Sequence, residues 1–232
     1  TFEFLVDTKS KNQEKFAFIE ANARLQVEHT VTEQVTGVDL VQSQIEIANG
    51  KTLHDLNLSE TPESKGVAIQ ARVNMETLQG DGSVKPTTGE ITAYDPPSGP
   101  GVRVDGFGYT GFFPSTNYDS LLAKVIVHSP KSGLEEAAKK CARALSEFRI
   151  EGLDTNIPFL RSVLKNQDFL KSAVTTRWID DNAIYLAEMR EFDVRHIASE
   201  DKDQLASRLA GALVDSSDPL ALFAYDKSSD RK

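Results

Sequence analysis

The chain has one cysteine, Cys141, among its 232 residues, so it forms no internal disulfide, and a reducing compartment fits that usage. It also has no excess of positive charge. With 26 Lys and Arg against 35 Asp and Glu, the net charge is −9 and the pI is near 5.0. Phosphate binding needs clustered Lys and Arg, which argues against a nucleic-acid surface. No apolar run approaches the ~20 residues of a membrane span, and no targeting segment is visible after Thr1. The four histidines, His29, His54, His128 and His196, lack metal-ligand spacing. The rest of the composition is ordinary for a globular protein, at 39% apolar and 26% charged. The length suffices for a sizeable core in one large domain or one and a half.

The stretch from Glu20 to His29 alternates polar and apolar residues. In an extended chain Glu20, Asn22, Arg24, Gln26 and Glu28 share one face, while Ala21, Ala23, Leu25 and Val27 pack on the other. Fully extended, this face spans roughly 26 Å, longer than one small-molecule site, so a bend is expected partway. Two carboxylates, an amide and a guanidinium on one face can hold a divalent cation together with an anion. The solvated face of an edge strand has the same pattern, and spacing alone does not choose between the two.

Upstream, Thr1–Val6 and Phe16–Ile19 read as two strands of a hairpin that brings Glu3 beside Glu20. Facing carboxylates repel, so a site that holds them together usually supplies a cation. Downstream, Thr30 with Glu33 fits a capping box for a helix ended by Gly37, and Asp39 caps a second helix ended by Gly50. Residues 51–65 read as a connector and residues 66–74 as a strand. Arg72 lies among apolar neighbours there and needs a partner if buried; Asp119 would serve structurally. Residues 84–127 alternate short β-rich runs with Gly and Pro turns, as in an antiparallel sheet. Gly106–Gly111 formally matches a dinucleotide-binding G-x-G-x-x-G, but no helix pattern follows, and these glycines read as turn residues. Ser132 and Glu135 open a helix whose Leu134, Ala138, Cys141, Leu145 and Phe148 share one face, with Glu135–Lys139 and Glu136–Lys140 pairs on the other. Cys141 therefore reads as core. Residues 155–164 and 177–187 read as further helices, and Asp203–Leu213 as one candidate in an otherwise polar end.

Phe18–Leu25 resembles a signature shared by ATP-grasp carboxylating enzymes and carbamoyl-phosphate synthetases. Its continuation, Gln26–Glu33 followed by Thr36–Val41, resembles biotin carboxylases in particular, and so do Arg72–Asn74, Tyr118–Lys124 and Asp154–Leu160. The similarity covers about residues 1–183 and is closest to the biotin carboxylase regions of fused acyl-CoA carboxylases and pyruvate carboxylase. It implies an α+β fold with four parts: the C-terminal part of an ATP-grasp domain over 1–50, a connector over 51–65, the biotin carboxylase C-terminal antiparallel sheet with packed helices over 66–187, and a linker toward further modules over 188–232. The usual Ala-Glu-Asp after the matching Arg-Val-Asn is replaced here by Met75-Glu76-Thr77.

The resemblance also implies a chemistry, ATP-dependent carboxylation of biotin on a carrier domain. The residues matching Glu3, Glu20 and Asn22 hold Mg²⁺ or Mn²⁺. Arg24, Gln26 and the Val27 amide hold bicarbonate, Glu28 is its base, and Arg72 steadies the biotin enolate. The implied partners are bicarbonate, a biotin carboxyl carrier domain, a carboxyltransferase module and further copies in a homo-oligomer, with Arg103 at a subunit contact; no nucleic acid or membrane is implied. The implied location is the cytoplasm, or the mitochondrial matrix in a eukaryote. The family's glycine-rich lid and phosphate-gripping lysine lie upstream of the position matching Thr1, so the chain is expected to be the C-terminal half, inactive alone. Two rivals remain: another ATP-grasp ligase of the carbamoyl-phosphate synthetase kind, and a non-catalytic oligomerisation fragment.

Overall fold

The computed structural model describes residues 1–7, 15–115, 118–131 and 133–188. The helical candidate at 203–213 lies outside the described residues, as does Ser132 and the linker assigned from 188 onward, Glu188 excepted. In chain order the elements are β1 (Phe2–Val6), β2 (Phe16–Ala21), α1 (His29–Thr36), α2 (Leu40–Ala48), β3 (Val67–Asn74), β4 (Glu76–Leu78), β5 (Val84–Pro86) and β6 (Ala93–Asp95). They continue with β7 (Val102–Gly106), β8 (Leu121–Ser129), α3 (Leu134–Glu147), β9 (Arg149–Glu151), α4 (Ile157–Lys165), α5 (Gln167–Leu170) and α6 (Trp178–Glu188). The class is α+β, with every strand pairing antiparallel.

The central strand is β8, flanked by β3 and β7. Its Ala123, Val125 and Val127 face the same way as Ala71 and Val73 of β3 and Val102 and Val104 of β7, and join one apolar cluster. Helix α3 covers that face with Ala138, Cys141, Leu145 and Phe148, the stripe its 3.6-residue spacing predicts. Burying each such Val or Leu contributes roughly 1.5–3 kcal/mol. The intervening positions, Gln70 and Arg72 of β3, Lys124 of β8 and Arg103 and Asp105 of β7, belong to the opposite face. Against that face lies α1, so one side of the sheet is core and the other carries charge beside the buried Leu122 and Ile126. Gly152, just past β9, closes the turn at φ +94°, where an added Cβ would strike the Glu90 carbonyl.

Several local expectations need correction. The zigzag is strand only as far as Ala21, bends at Arg24 and turns at residues 27–28. Its apolar side is not packed, because Ala21, Ala23 and Leu25 are exposed. Thr30 does not cap α1: it lies inside the helix, and its hydroxyl donates to Gln70 Oε1 at 2.5 Å. The N-cap position of α1 falls to Glu28, whose side chain makes no capping bond. Asp39 does cap α2, accepting from the Gln42 N–H at 2.7 Å, and Gly37 ends α1 in the left-handed region. Helix α3 starts after Gly133 with no side-chain cap. Lys139 pairs with both Glu135 and Glu136, while Lys140 bonds the His128 carbonyl instead. Of the predicted turn glycines Gly111 has a positive φ, but Gly106 and Gly108 are small because the Tyr94 ring packs against them.

Candidate active site

The hairpin β1–β2 pairs Glu3 directly with Glu20, and a bulge follows between Glu3 and Phe4. The Asn22 amide N–H reaches both carboxylates, donating to Glu20 Oε1 at 2.8 Å and to Glu3 Oε1 at 3.4 Å. A partly positive donor thus stands between two anions, where an oxygen-liganded hard cation would be held. These three are oxygen donors of the kind Mg²⁺ and Mn²⁺ prefer. Among the described residues no group of three or more His, Cys, Asp or Glu side chains is placed to hold a metal, so this trio with its amide is the candidate.

Beyond Asn22 the chain leaves the hairpin and winds into α1. Arg24 is exposed, with Nη1 donating to the Leu25 carbonyl at 3.3 Å. The Gln26 carbonyl accepts from the His29 backbone N–H at 3.2 Å and from the ring Nδ1 at 2.7 Å. A carbonyl can only accept, so Nδ1 carries the ring proton. The turn is therefore pinned by His29, whose proximity to the site has a structural cause. Gln26 Oε1 is buried without a hydrogen-bond partner among the described residues. An unmet buried acceptor costs about 1–3 kcal/mol, and a ligand with an O–H to donate would relieve it.

Arg72 projects from the charged face of the sheet and donates to Glu28 Oε2 at 3.1 Å, with both side chains about half exposed. This is not the structural pairing with Asp119 that the sequence allowed, since Asp119 accepts from the Leu121 N–H instead. Buried Asn156 fixes the strand beneath Arg72: its Nδ2 donates to the Arg72 carbonyl at 3.1 Å and its Oδ1 accepts the Asn74 N–H at 2.9 Å.

Beside Arg72 runs a charge relay that the sequence reading missed. Arg103 donates from Nη1 to Glu33 Oε2 at 2.7 Å, and from Nε and Nη2 to the two Asp105 oxygens at 2.7 and 3.0 Å. Lys124 Nζ lies 3.3 Å from Asp105 Oδ2 and 3.3 Å from the Val27 carbonyl oxygen. Burial works against the Asp105 charge, but the hydrogen bonds and charges of Arg103 and Lys124 outweigh it and hold the carboxyl below its ordinary range. The same pairing with Asp105, aided by Glu33 against desolvation, raises Arg103. The signal for this relay was the alternation Val102-Arg103-Val104-Asp105 opposite Ala123-Lys124-Val125, which puts the charges on one face.

The structure therefore brings together Glu3, Glu20 and Asn22 as one group and Glu28 with Arg72 as another, joined by a short loop that carries Arg24, Gln26 and Val27. Two carboxylates with an amide can hold a hard cation, and a loop guanidinium beside a carboxylate–guanidinium pair can hold a small anion. Residues 1–56 match the family described as carbamoyl-phosphate synthase L chain, ATP binding domain, and residues 70–181 match the biotin carboxylase C-terminal domain. The chain is 48% identical over 184 residues to mitochondrial pyruvate carboxylase of Homo sapiens, a match covering 78% of this chain and 15% of that protein. Among solved structures, a single-chain, multi-domain long-chain acyl-CoA carboxylase superposes with a TM-score of 0.73 at 47% identity, over 81% of this chain and 20% of that one. The biotin carboxylase domain dimer of Hydrogenobacter thermophilus 2-oxoglutarate carboxylase, solved with MgADP, ADP and bicarbonate, gives 0.69 at 36% identity, over 80% and 39%. The chain carries the biotin carboxylase C-terminal domain over residues 70–181. It spans only 15% of the length of the pyruvate carboxylases it matches.

Proposed function

We propose that this chain supplies the bicarbonate- and biotin-handling part of a biotin carboxylase, working inside a biotin-dependent acyl-CoA or pyruvate carboxylase. The observation that carries the reading is the 3.1 Å pair between Glu28 and Arg72, residues 44 apart in sequence on a loop and a sheet. Bound ATP with its divalent cation supplies the activation of bicarbonate by phosphoryl transfer, and biotin supplies the nitrogen that accepts the carboxyl group. Glu3, Glu20 and Asn22 hold the cation, Mg²⁺ by preference for an oxygen-only set with few protein ligands. Arg24 grips bicarbonate from one side and the Val27 N–H from another. The Gln26 side-chain amide completes the cradle, its N–H groups donating to a bicarbonate oxygen.

Glu28 would take the bicarbonate proton, leaving the oxyanion that phosphoryl transfer from bound ATP requires. In the ligand-free pair Arg72 neutralises Glu28. Incoming anion would compete for the guanidinium and release the carboxylate to act as base, while Arg72 would supply the positive charge that offsets negative charge on biotin when it is bound. The proposed partners are a biotin carboxyl carrier domain, a carboxyltransferase module and, in keeping with the domain dimer among the structural relatives, a second copy. The proposed location is the cytoplasm or, as for the mitochondrial relatives, the matrix.

The test uses the complete carboxylase that contains this chain. Glu28→Gln is expected to lower bicarbonate-dependent ATP cleavage by a factor of about 10² or more. Arg72→Lys, which keeps the charge and loses the planar fork, is expected to lower carboxybiotin formation more than ATP cleavage. Wild-type rates in both variants would instead mark the chain as a scaffold, and carbamoyl transfer to ammonia in place of biotin would mark it as a carbamoyl-phosphate-type ligase.

A further inference from the structure

We propose that Lys124 is a positioning residue of the carboxylation site, acting on Glu28 through the Val27–Glu28 peptide; this inference rests on the function proposed above. The turn that presents Glu28 is held at each of its carbonyls. The Gln26 carbonyl meets His29, the Glu28 carbonyl accepts the Val31 N–H at 3.0 Å, and the Val27 carbonyl accepts from the Lys124 ammonium at 3.3 Å. Among the described residues, Lys124 is the donor to that third carbonyl. The Val27 oxygen belongs to the peptide plane that sets the direction in which Glu28 leaves the backbone, so holding it limits where the Glu28 carboxylate can point.

Lys124 is itself aimed. Its side chain is 12% exposed, so the ammonium has little water to fall back on and depends on its two oxygen partners. Asp105 holds one side of it and is in turn held through two hydrogen bonds by Arg103, whose remaining nitrogen grips Glu33 of α1. Glu33 also accepts the Leu40 N–H at 2.9 Å, tying the start of α2 to the same chain of contacts. The contacts form a closed ring: from the turn before α1 to β8, across to β7, and back to the body of α1. Both ends of the segment that carries the proposed base are fastened to the charged face of the sheet.

Lys124 also stands directly opposite Arg72 in the β3–β8 register. One strand pair thus carries the cation that faces the Glu28 carboxylate and the cation that fixes its backbone. Two like charges opposite each other are unfavourable in a sheet, and here each is offset by its own acid, Glu28 for Arg72 and Asp105 for Lys124.

The test compares variants of the complete carboxylase. Lys124→Met keeps the length of the side chain and removes the ammonium. It is expected to raise the bicarbonate KM about tenfold and lower kcat by about ten- to a hundredfold, the range a shift near 1 Å produces. The ATP KM stays at the wild-type value, because the ATP-side contacts are untouched, while the melting temperature falls modestly as Asp105 loses one of its two cations. Lys124→Arg, which restores a cation at the carbonyl, is expected to recover most of the bicarbonate KM. Should Lys124→Met fail to fold, Asp105→Asn, which releases one of the two anchors on Lys124, is expected to raise the bicarbonate KM alone. Unchanged kcat and bicarbonate KM in a folded Lys124→Met, or ATP and bicarbonate KM moving together with the melting temperature, would overturn the positioning role. Glu28→Gln run in parallel separates the two levels. An active Glu28→Gln defeats the proposed function, whereas an inactive one beside a fully active Lys124→Met defeats the inference about Lys124 alone.

Discussion

Cys141 sits on the apolar face of α3, fully buried, and burial pushes its thiol from an ordinary 9.0 up to about 12. Such a thiol is protonated at neutral pH and inert, so a thiol reagent is expected to label the native chain only as fast as it unfolds. The sign of the pH effect follows from the raised value. Below pH 9 folded and unfolded chains both hold the proton, so the full contribution is present. Between pH 9 and 12 only the folded state keeps it, and stability falls by roughly 1.4 kcal/mol per pH unit. Urea titrations of Cys141→Ala against the parent chain, repeated from pH 8 to pH 11, check this: the difference between the two should shrink as pH rises. Glu28 and Arg72 show the other use of charge. Their pair is half exposed, where a salt bridge alone stabilises little, so its interest lies in what it places together.

At the scale of elements, the β3–β8–β7 sheet does two jobs because successive side chains alternate faces. Its apolar face is sealed by α3 and α4, and the cluster around Val73, Val125 and Leu145 makes the domain cohere. Leu145 is 1% exposed. Leu145→Ala is expected to cost about 2–5 kcal/mol by leaving a cavity, read as a lower denaturant midpoint with an unchanged slope. Its charged face carries the relay from Glu33 to Lys124 and receives α1. The register of the sheet therefore decides which residues can serve the site: a slip of one position in β8 would exchange Lys124 with a core residue.

At the scale of the molecule, the hairpin β1–β2 differs from the rest. Its strands are exposed along nearly their whole length, with Phe2 72%, Phe4 49%, Phe16 67% and Phe18 58% accessible, and the phenyl rings of Phe4, Phe16 and Phe18 meet edge to face. Apolar surface of this extent marks a place that another surface covers. The isolated chain is expected to bind a hydrophobic dye strongly. Phe4→Ser with Phe16→Ser should reduce that fluorescence while leaving the melting temperature almost unchanged, since these rings bury little. The candidate cation trio lies on this same hairpin, open to water, and steady biotin-dependent ATP turnover by the isolated chain is not expected, because water is not excluded from the site.

The sequence by itself determined the local elements whose cause is local. The 3.6-residue stripe of α3, the Asp39 cap, the left-handed Gly37 and the pairing of Glu3 with Glu20 all follow from periodicity and turn chemistry within a few residues or one hairpin. The alternation from Glu20 to Glu28 named the residues of the candidate site, but not their arrangement, because the strand ends at Ala21 and the remaining residues are set by a turn that has no periodic signature. Tertiary structure alone decided that Arg72 faces Glu28 and not Asp119, that Thr30 reaches Gln70 instead of capping its helix, and that Arg103, Asp105 and Lys124 fasten the turn before α1 to the sheet. Those partners lie tens of residues apart, and their meeting depends on strand register and on which sheet face α1 covers, which no short window of sequence encodes.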